Sequence, residues 1–274
     1  MSTKVAPSKL FANAEHHAGC FWWADLATPD VDAAKRFYGE LFGWAYDDQP
    51  IDETSYYAMA KLDGLDVAAM SGQRQEMRGM PPIWTTYLTV DDVDTTTARV
   101  PQLGGTIVSE PFDVMDVGRM SVIQDASGAT VALWQTITHP GAAAISQPGT
   151  LTWSEVIARD SAAAERFWTG LMGWTTDKMP MPQGGEYTTF LHDGHPAAGM
   201  MAMPADMPAE TPSAWMVYFA VADLDASITK VRDLGGTVHI PPTPAGDIGT
   251  FSMVEDPQGG MFYLMQPHEW PEPE

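Results

Sequence analysis

Residues 23–44 read WADLATPDVDAAKRFYGELFGW, and residues 153–174 read WSEVIARDSAAAERFWTGLMGW. At an offset of 130 they align Trp23 with Trp153, Asp25 with Glu155, Asp30 with Asp160, Phe37 with Phe167, and Gly43-Trp44 with Gly173-Trp174. Further on, YLTVDDVDTTTARVPQLGGTI (87–107) matches YFAVADLDASITKVRDLGGTV (218–238) at offset 131, and DASGATVALWQ (125–135) matches DPQGGMFYLMQ (256–266). A single indel across so much chain identifies a tandem duplication, and a repeat of this kind decides the fold before local propensity is weighed.

Each half is itself bipartite. A strand, an Asp, a helix, a Gly stop and further strands recur four times, beginning near Trp22, Trp84, Thr152 and Trp215. Asp30, Asp92, Asp160 and Asp223 stand where a helix N-cap belongs, because a carboxylate accepts the orphan N–H groups of the first turn. In the first helix Ala33, Phe37 and Leu41 fall at helical spacing and predict the core stripe. Gly43, Gly104-Gly105 and Gly235-Gly236 supply the stops. Turns are expected at Asp63-Gly64, Ser127-Gly128, Asp193-Gly194 and Gln258-Gly259. The fold class is therefore α+β, a tandem of two domains, each of two βαβββ modules.

The boundaries follow from composition. An N-terminal arm (1–19) precedes domain 1 (20–137; modules 20–75 and 83–137). A Pro/Gly/Ala-rich linker (138–149) leads to domain 2 (150–268; modules 150–203 and 214–268) and a tail (269–274). With 274 residues the chain is long enough for two domains, each with its own core. Met-Pro stretches at 76–82 and 202–213 separate the modules and are expected to pack over a neighbour.

The balance of 36 acidic and 14 basic residues gives a net charge of −22. Such a chain repels phosphate backbones and anionic lipid surfaces, so no nucleic-acid or membrane partner is expected. One cysteine, Cys20, excludes a disulfide framework and a thiolate metal cage. The first twenty residues lack a signal-peptide apolar run, and no eighteen apolar residues are contiguous, which predicts a soluble, cytoplasmic protein.

The four βαβββ units, the FYGELFGW helix end (37–44), the Asp-Val-Asp after a strand (92–94) and the closing D-x-x-G-x-x-x-x-L-x-Q strand together resemble the vicinal oxygen chelate superfamily. That group includes glyoxalase I, extradiol dioxygenases, fosfomycin-resistance transferases and bleomycin-binding proteins. The resemblance spans about residues 20–267. It implies that paired modules curve their sheets into a cup, helices outside, with a divalent metal at the base held by His and Glu. The same tandem form with WxDL- and WxEL-like openings is similar to glyoxalase-like proteins of actinobacterial type.

Carried onto this sequence, the ligand positions fall on Trp23, Thr85, Trp153 and Met216 of the opening strands and on Ala132 and Tyr263 of the closing strands. None offers the imidazole, carboxylate or thiolate that a divalent ion requires, so no family-type metal and no cofactor are expected. The histidines do not rescue the site. His16, His17, His139, His192, His195, His239 and His268 show no convergent spacing and are expected to be exposed or singly hydrogen-bonded.

Alternation along a strand then sorts the residues by face. Phe21, Trp23 and Asp25 point inward in the first unit; Thr85, Tyr87 and Thr89 in the second; Trp153, Glu155 and Ile157 in the third; Met216, Tyr218 and Ala220 in the fourth. Closing strands add Thr130, Ala132 and Trp134, and Met261, Tyr263 and Met265. Tyr57 and Tyr187 are equivalent at offset 130 and are placed at the rims. Asp25 and Glu155 are the candidate catalytic residues, since a carboxyl beside Trp and Tyr on a concave face is desolvated and its pKa rises. The same pattern also fits an acid that merely stiffens the sheet by accepting hydrogen bonds.

Candidate ligand-binding residues are Trp23, Tyr57, Thr85, Tyr87, Trp134, Trp153, Tyr187, Met216, Tyr218 and Tyr263, with the indoles suited to stacking on a flat ring. Three functions remain open on the sequence. The first is a metal-independent cup that binds a small, mainly apolar ring-containing or carbonyl compound and uses an acid for proton transfer (isomerisation, cyclisation or hydrolysis). The second is a pure binding or sequestration protein, and the third a metal-dependent lyase or dioxygenase with shifted ligands. The expected partner is a small molecule, and the tandem chain fits either a monomer or a homodimer.

Overall fold

The computed structural model describes residues 18–52, 55–181 and 184–270. Among these residues the chain forms two eight-stranded sheets of matching strand order. In the first, β1 (Phe21–Thr28) and β5 (Ile83–Thr89) pair antiparallel at the centre. β1 is flanked by the parallel β4 (Leu65–Gly72) and β5 by the parallel β8 (Thr130–Thr136). β3 (Tyr56–Leu62) and β2 (Ala45–Pro50) extend one wing, and β7 (Gly118–Gln124) and β6 (Thr106–Val114) the other. The second sheet repeats this with β9 (Leu151–Ala158) against β13 (Ala214–Ala220), flanked by β12 (His195–Ala202) and β16 (Met261–Pro267). β11 (Glu186–His192), β10 (Thr175–Pro180), β15 (Gly249–Glu255) and β14 (Thr237–Pro244) complete its wings. The tandem of paired βαβββ modules is thus present as the repeat predicts.

The four helices begin where the aspartates stand. α1 (Val31–Phe42), α2 (Val93–Arg99), α3 (Ser161–Met172) and α4 (Leu224–Asp233) are capped by Asp30, Asp92, Asp160 and Asp223. Each carboxylate accepts from the backbone N–H three residues on, at 2.7–2.9 Å. A cap of this kind is worth ~1 kcal/mol. Gly43 and Gly173 end α1 and α3 with φ of 79° and 70°.

The helices lie outside the cups, but their cores are not private to each domain as expected from length. One core joins Ala24, Leu26, Phe37, Tyr38, Phe42 and Trp84 of the first half to Val217, Phe219, Leu224, Ile228 and Phe262 of the second. The other joins Leu88, Val93, Ile123 and Leu133 to Val156, Phe167, Trp168, Trp174 and Trp215. The first module therefore packs on the fourth, and the second on the third. At the centre of this back-to-back arrangement, the buried hydroxyls of Thr86 and Ser154 lie 2.8 Å apart.

This crossing corrects the predicted stripe of α1. Ala34, Phe37, Tyr38 and Phe42 are its buried residues, while Leu41 is only partly covered. The helix faces both its own sheet and the opposite domain, so its apolar face is rotated from the Ala33/Phe37/Leu41 line. Tyr38 donates to Asp256 at 2.9 Å and accepts from the Trp84 indole at 3.0 Å. The equivalent Trp168 donates to Asp125 at 2.9 Å. The other oxygen of each aspartate accepts from its own turn: Ser127 and Ala129 N–H for Asp125, Gln258 and Gly260 N–H for Asp256. The D-x-x-G signature therefore serves two purposes, closing the last turn and fastening the facing domain.

Candidate functional site

In the first cup the antiparallel register sets Asp25 opposite Thr85 and Trp23 opposite Tyr87, and the parallel register sets Asp25 beside Ala69. One Asp25 oxygen accepts from Tyr87 at 2.7 Å and from Tyr57 at 3.0 Å. The Tyr57 oxygen in turn accepts from the Trp23 indole at 3.0 Å. Trp134 stands edge-on to Tyr87, with ring centroids 6.1 Å apart. Trp23, Tyr57 and Tyr87 therefore gather around one carboxyl, with Thr85 opposite it in the register and Trp134 beside Tyr87.

The second cup repeats the constellation. Glu155 lies opposite Met216 and beside Gly199, with Trp153 opposite Tyr218. Tyr218 donates to Glu155 at 3.0 Å, and the Trp153 indole donates to Tyr187 at 2.9 Å. Tyr263 stacks on Tyr218, centroids 4.3 Å apart and planes within 6°. Gly199 is required here, since a Cβ would fall 2.0 Å from the Tyr187 hydroxyl.

Burial sets the electrostatics. It pushes the Glu155 carboxyl up to about 7, against the hydrogen bonds from Tyr187 and Tyr218 that favour the anion. Asp25 is also raised by burial, opposed by Tyr87, Tyr57 and the charge of Arg74. All four phenols are held well above the usual tyrosine range, first by burial and then by the adjacent acid. They remain protonated donors, and each cup offers one carboxyl whose protonated form is favoured by burial.

Two expectations need correction. Phe21 does not face the cup: it packs on Trp215 and Trp174 in a helix-side core, with ring centroids 4.7 and 6.4 Å away. A register shift between Phe21 and Trp23 breaks the alternation, as a bulge does. The same shift in domain 2 places Leu151 in the other helix-side core. His139, expected to be exposed or singly hydrogen-bonded, is half-buried at the first cup, its ring 4.7 Å from Trp23 and its carbonyl accepting from the Trp134 indole. Lying beyond the periodic strands, it gave no pattern to read. His16 and His17 fall outside the described residues.

The family model for the Glyoxalase/Bleomycin resistance protein/Dioxygenase superfamily matches residues 16–133 and again 150–264. The chain belongs to that superfamily. Among its relatives is CFP32 of Mycobacterium tuberculosis, which carries a glyoxylase name, 40% identical over 92% of this chain and 97% of the relative. The anthracycline biosynthesis protein DnrV of Streptomyces peucetius is 33% identical over 90% of this chain and 93% of the relative. The Mn(II)-bound glyoxalase from Novosphingobium aromaticivorans shares the fold with a TM-score of 0.64 at 15% identity, covering 93% of this chain and 84% of that one. The 2,3-dioxygenase LapB from Pseudomonas sp. KL28 does so at 0.63 and 16%, covering 93% and 94%.

Against this superfamily background the donor set of the cups is unusual. The positions where the resemblance places metal ligands hold indole, hydroxyl, thioether, methyl and phenol groups. Among the described residues, no three His, Cys, Asp or Glu side chains converge. A lone carboxyl already taken up by two phenols is a poor fit for a divalent ion that wants three or four strong donors.

Proposed function

We propose that this chain is a glyoxalase-like cup protein that works without the superfamily's usual metal centre. It binds a small, mainly apolar, ring-containing or carbonyl compound and moves a proton with the cup acid. The observation that carries this is the repeated unit of one carboxyl, two phenols and one indole, set in apolar walls. A few convergent polar groups on an apolar lining are the signature of a small-molecule site. In this mechanism Asp25 or Glu155, as carboxylate, takes a proton from carbon adjacent to a ligand carbonyl and returns it to the same or a neighbouring atom. A phenol donates to the carbonyl oxygen and carries the charge that develops there. The relatives named for anthracycline biosynthesis support a flat ring as the ligand's body.

The test is proton exchange. With a fused-ring ketone such as 1-tetralone in D2O, wild type is expected to accelerate deuterium entry beside the carbonyl, followed by proton NMR. The double variant Asp25→Asn/Glu155→Gln should bind the ketone and lose the acceleration. Binding without acceleration by wild type would mean sequestration. Stoichiometric Fe, Mn, Ni or Zn in tag-free, chelator-washed protein would overturn the metal-free reading.

A further inference from the structure

The two ends of the first cup differ. The linker seals the end where β1 and β4 begin: the Ala142 N–H donates to the Trp22 carbonyl and the Ala143 N–H to the Asp66 carbonyl, both at 2.7 Å. Ala142 and Ile145 pack there with Trp23 and Ala69. Farther along the same face, Asp25, Tyr57, Thr85 and Tyr87 keep partial exposure. Both phenols donate to one Asp25 oxygen, Oδ2, so that Oδ1 is not engaged by any described residue.

Arg74 stands at the other end, where β1 and β4 finish. The Gln73 N–H donates to the Thr28 carbonyl at 3.0 Å, and the Gln73 side chain donates to the Met80 and Pro81 carbonyls. Arg74 therefore leaves the sheet from a fixed point. Its charge bears on both Asp25 and Tyr87, favouring their ionised forms. The guanidinium is exposed and has no hydrogen bond or salt bridge to a described residue. Lys35, Lys61, Arg119 and Lys178, by contrast, each pair with a carboxylate. An uncommitted guanidinium beside a half-open apolar cup is a rigid fork of donors, and that fork matches a carboxylate in shape and charge.

The second cup lacks this group. Met203 makes the bond equivalent to that of Gln73, its N–H donating to the Ala158 carbonyl at 2.9 Å, so the position matching Arg74 is Pro204. Residues 203–213 contain Asp206 and Glu210 and no Lys or Arg, whereas residues 74–82 hold Arg74 and Arg78 against Glu76. At Glu155 the effect of burial is opposed by two phenols and by no cation.

We infer that Arg74 is a specificity residue of the first cup and selects ligands that carry a carboxylate. The ligand class is a ring-containing carbonyl compound with an acid group: the carboxylate meets the Arg74 fork while the carbonyl faces Asp25 and Tyr87. This rests on the proposed function and names the ligand class for the first cup. With a net charge of −22 the chain as a whole repels anions, so a preference for one has to arise locally.

Equilibrium binding of 6-carboxy-1-tetralone and of its neutral primary amide tests it. Wild type is expected to bind the acid about tenfold more tightly than the amide, the worth of a charge-assisted hydrogen bond. Arg74→Gln should abolish that preference, and Arg78→Gln, which removes a charge from the same loop, should retain it. Both side chains are exposed, and thermal unfolding verifies that the variants are folded. Equal affinities in wild type, a preference that survives in Arg74→Gln, or equal loss in both variants would overturn the assignment while leaving the role of the cup acid intact. A ratio of affinities needs no turnover, so failure of deuterium entry would sink the proposed proton transfer and leave the acid preference standing. Binding of neither compound would overturn both this assignment and the proposed function.

Discussion

Glu155 and Gly199 sit side by side in the parallel β9–β12 register, and the methylene that distinguishes Glu155 from Asp25 is matched by the methyl that distinguishes Ala69 from Gly199. At this pair of positions the two cups trade one carbon between the acid and its neighbour. That exchange leaves Glu155 2% exposed, where Asp25 keeps partial solvent contact.

Gly199→Ala is therefore expected to damage the second cup. Its new Cβ meets the Tyr187 hydroxyl and also the Trp153 indole nitrogen, at 2.0 and 2.7 Å. Overpacking of this kind costs about 1–3 kcal/mol. Urea unfolding should show the loss, and a Gly199→Ala/Tyr187→Phe double variant should recover part of it. A wild-type midpoint for the single variant would show that Tyr187 is free to move aside.

The acid itself should reveal its environment through pH. Glu155 is pushed from 4.5 to about 7, so the folded state holds its proton more tightly than the unfolded chain. The associated stability is complete below about pH 4.5 and is lost as pH rises through about 7, up to ~3 kcal/mol. Glu155→Gln does not titrate. Its Tm relative to wild type should be near zero or negative at pH 5 and positive by pH 8. A difference that stays flat across that interval would contradict the burial of the charge.

Removing the Tyr38 hydroxyl should loosen the contact between halves. Tyr38→Phe leaves the Asp256 oxygen and the Trp84 indole N–H without the partner they share, at a cost of roughly 1–3 kcal/mol. Guanidinium unfolding followed by two probes, one in each half, should remain a single coincident transition at a lower midpoint.

Indole donors offer an internal control. Trp84 donates to Tyr38, whereas the buried nitrogen of its equivalent Trp215 has no partner. Trp84→Phe is expected to destabilise more than Trp215→Phe by about 1 kcal/mol, the net worth of a hydrogen bond. Equal losses in chemical denaturation would argue that the difference between these sites is not carried by hydrogen bonding.

Cys20 should be inert in the native protein. Burial lifts its thiol to about 11, so little thiolate exists at pH 8, and the thiolate is the reactive form. Iodoacetamide should label it slowly until denaturant is added; rapid labelling of folded protein would refute this.

What could be read from sequence follows from periodicity. The capping aspartates, the Asp-Gly turns and the concave face of each central strand were legible because each depends on neighbours in the chain. Asp25 and Tyr87 are legible because alternation fixes their face, and Tyr57 because the repeat fixes its equivalence with Tyr187. Phe21 misled because a register shift leaves no mark in the pattern. Tyr38 and Trp168 looked like ordinary helix aromatics, their partners Asp256 and Asp125 being more than forty positions away. The linker carried no period at all, so nothing placed Ala142, Ile145 and His139 against the acid cluster.

The crosswise sharing of cores has a consequence at the ribosome. Residues between Ala24 and Trp84 complete their hydrophobic core only when Val217–Leu264 have been synthesised. Closing loops of that length slows folding and leaves aromatic surface waiting in solution. The nascent first half thus emerges as a sheet without its mate, and its native burial is completed after translation of the fourth module rather than vectorially, domain by domain.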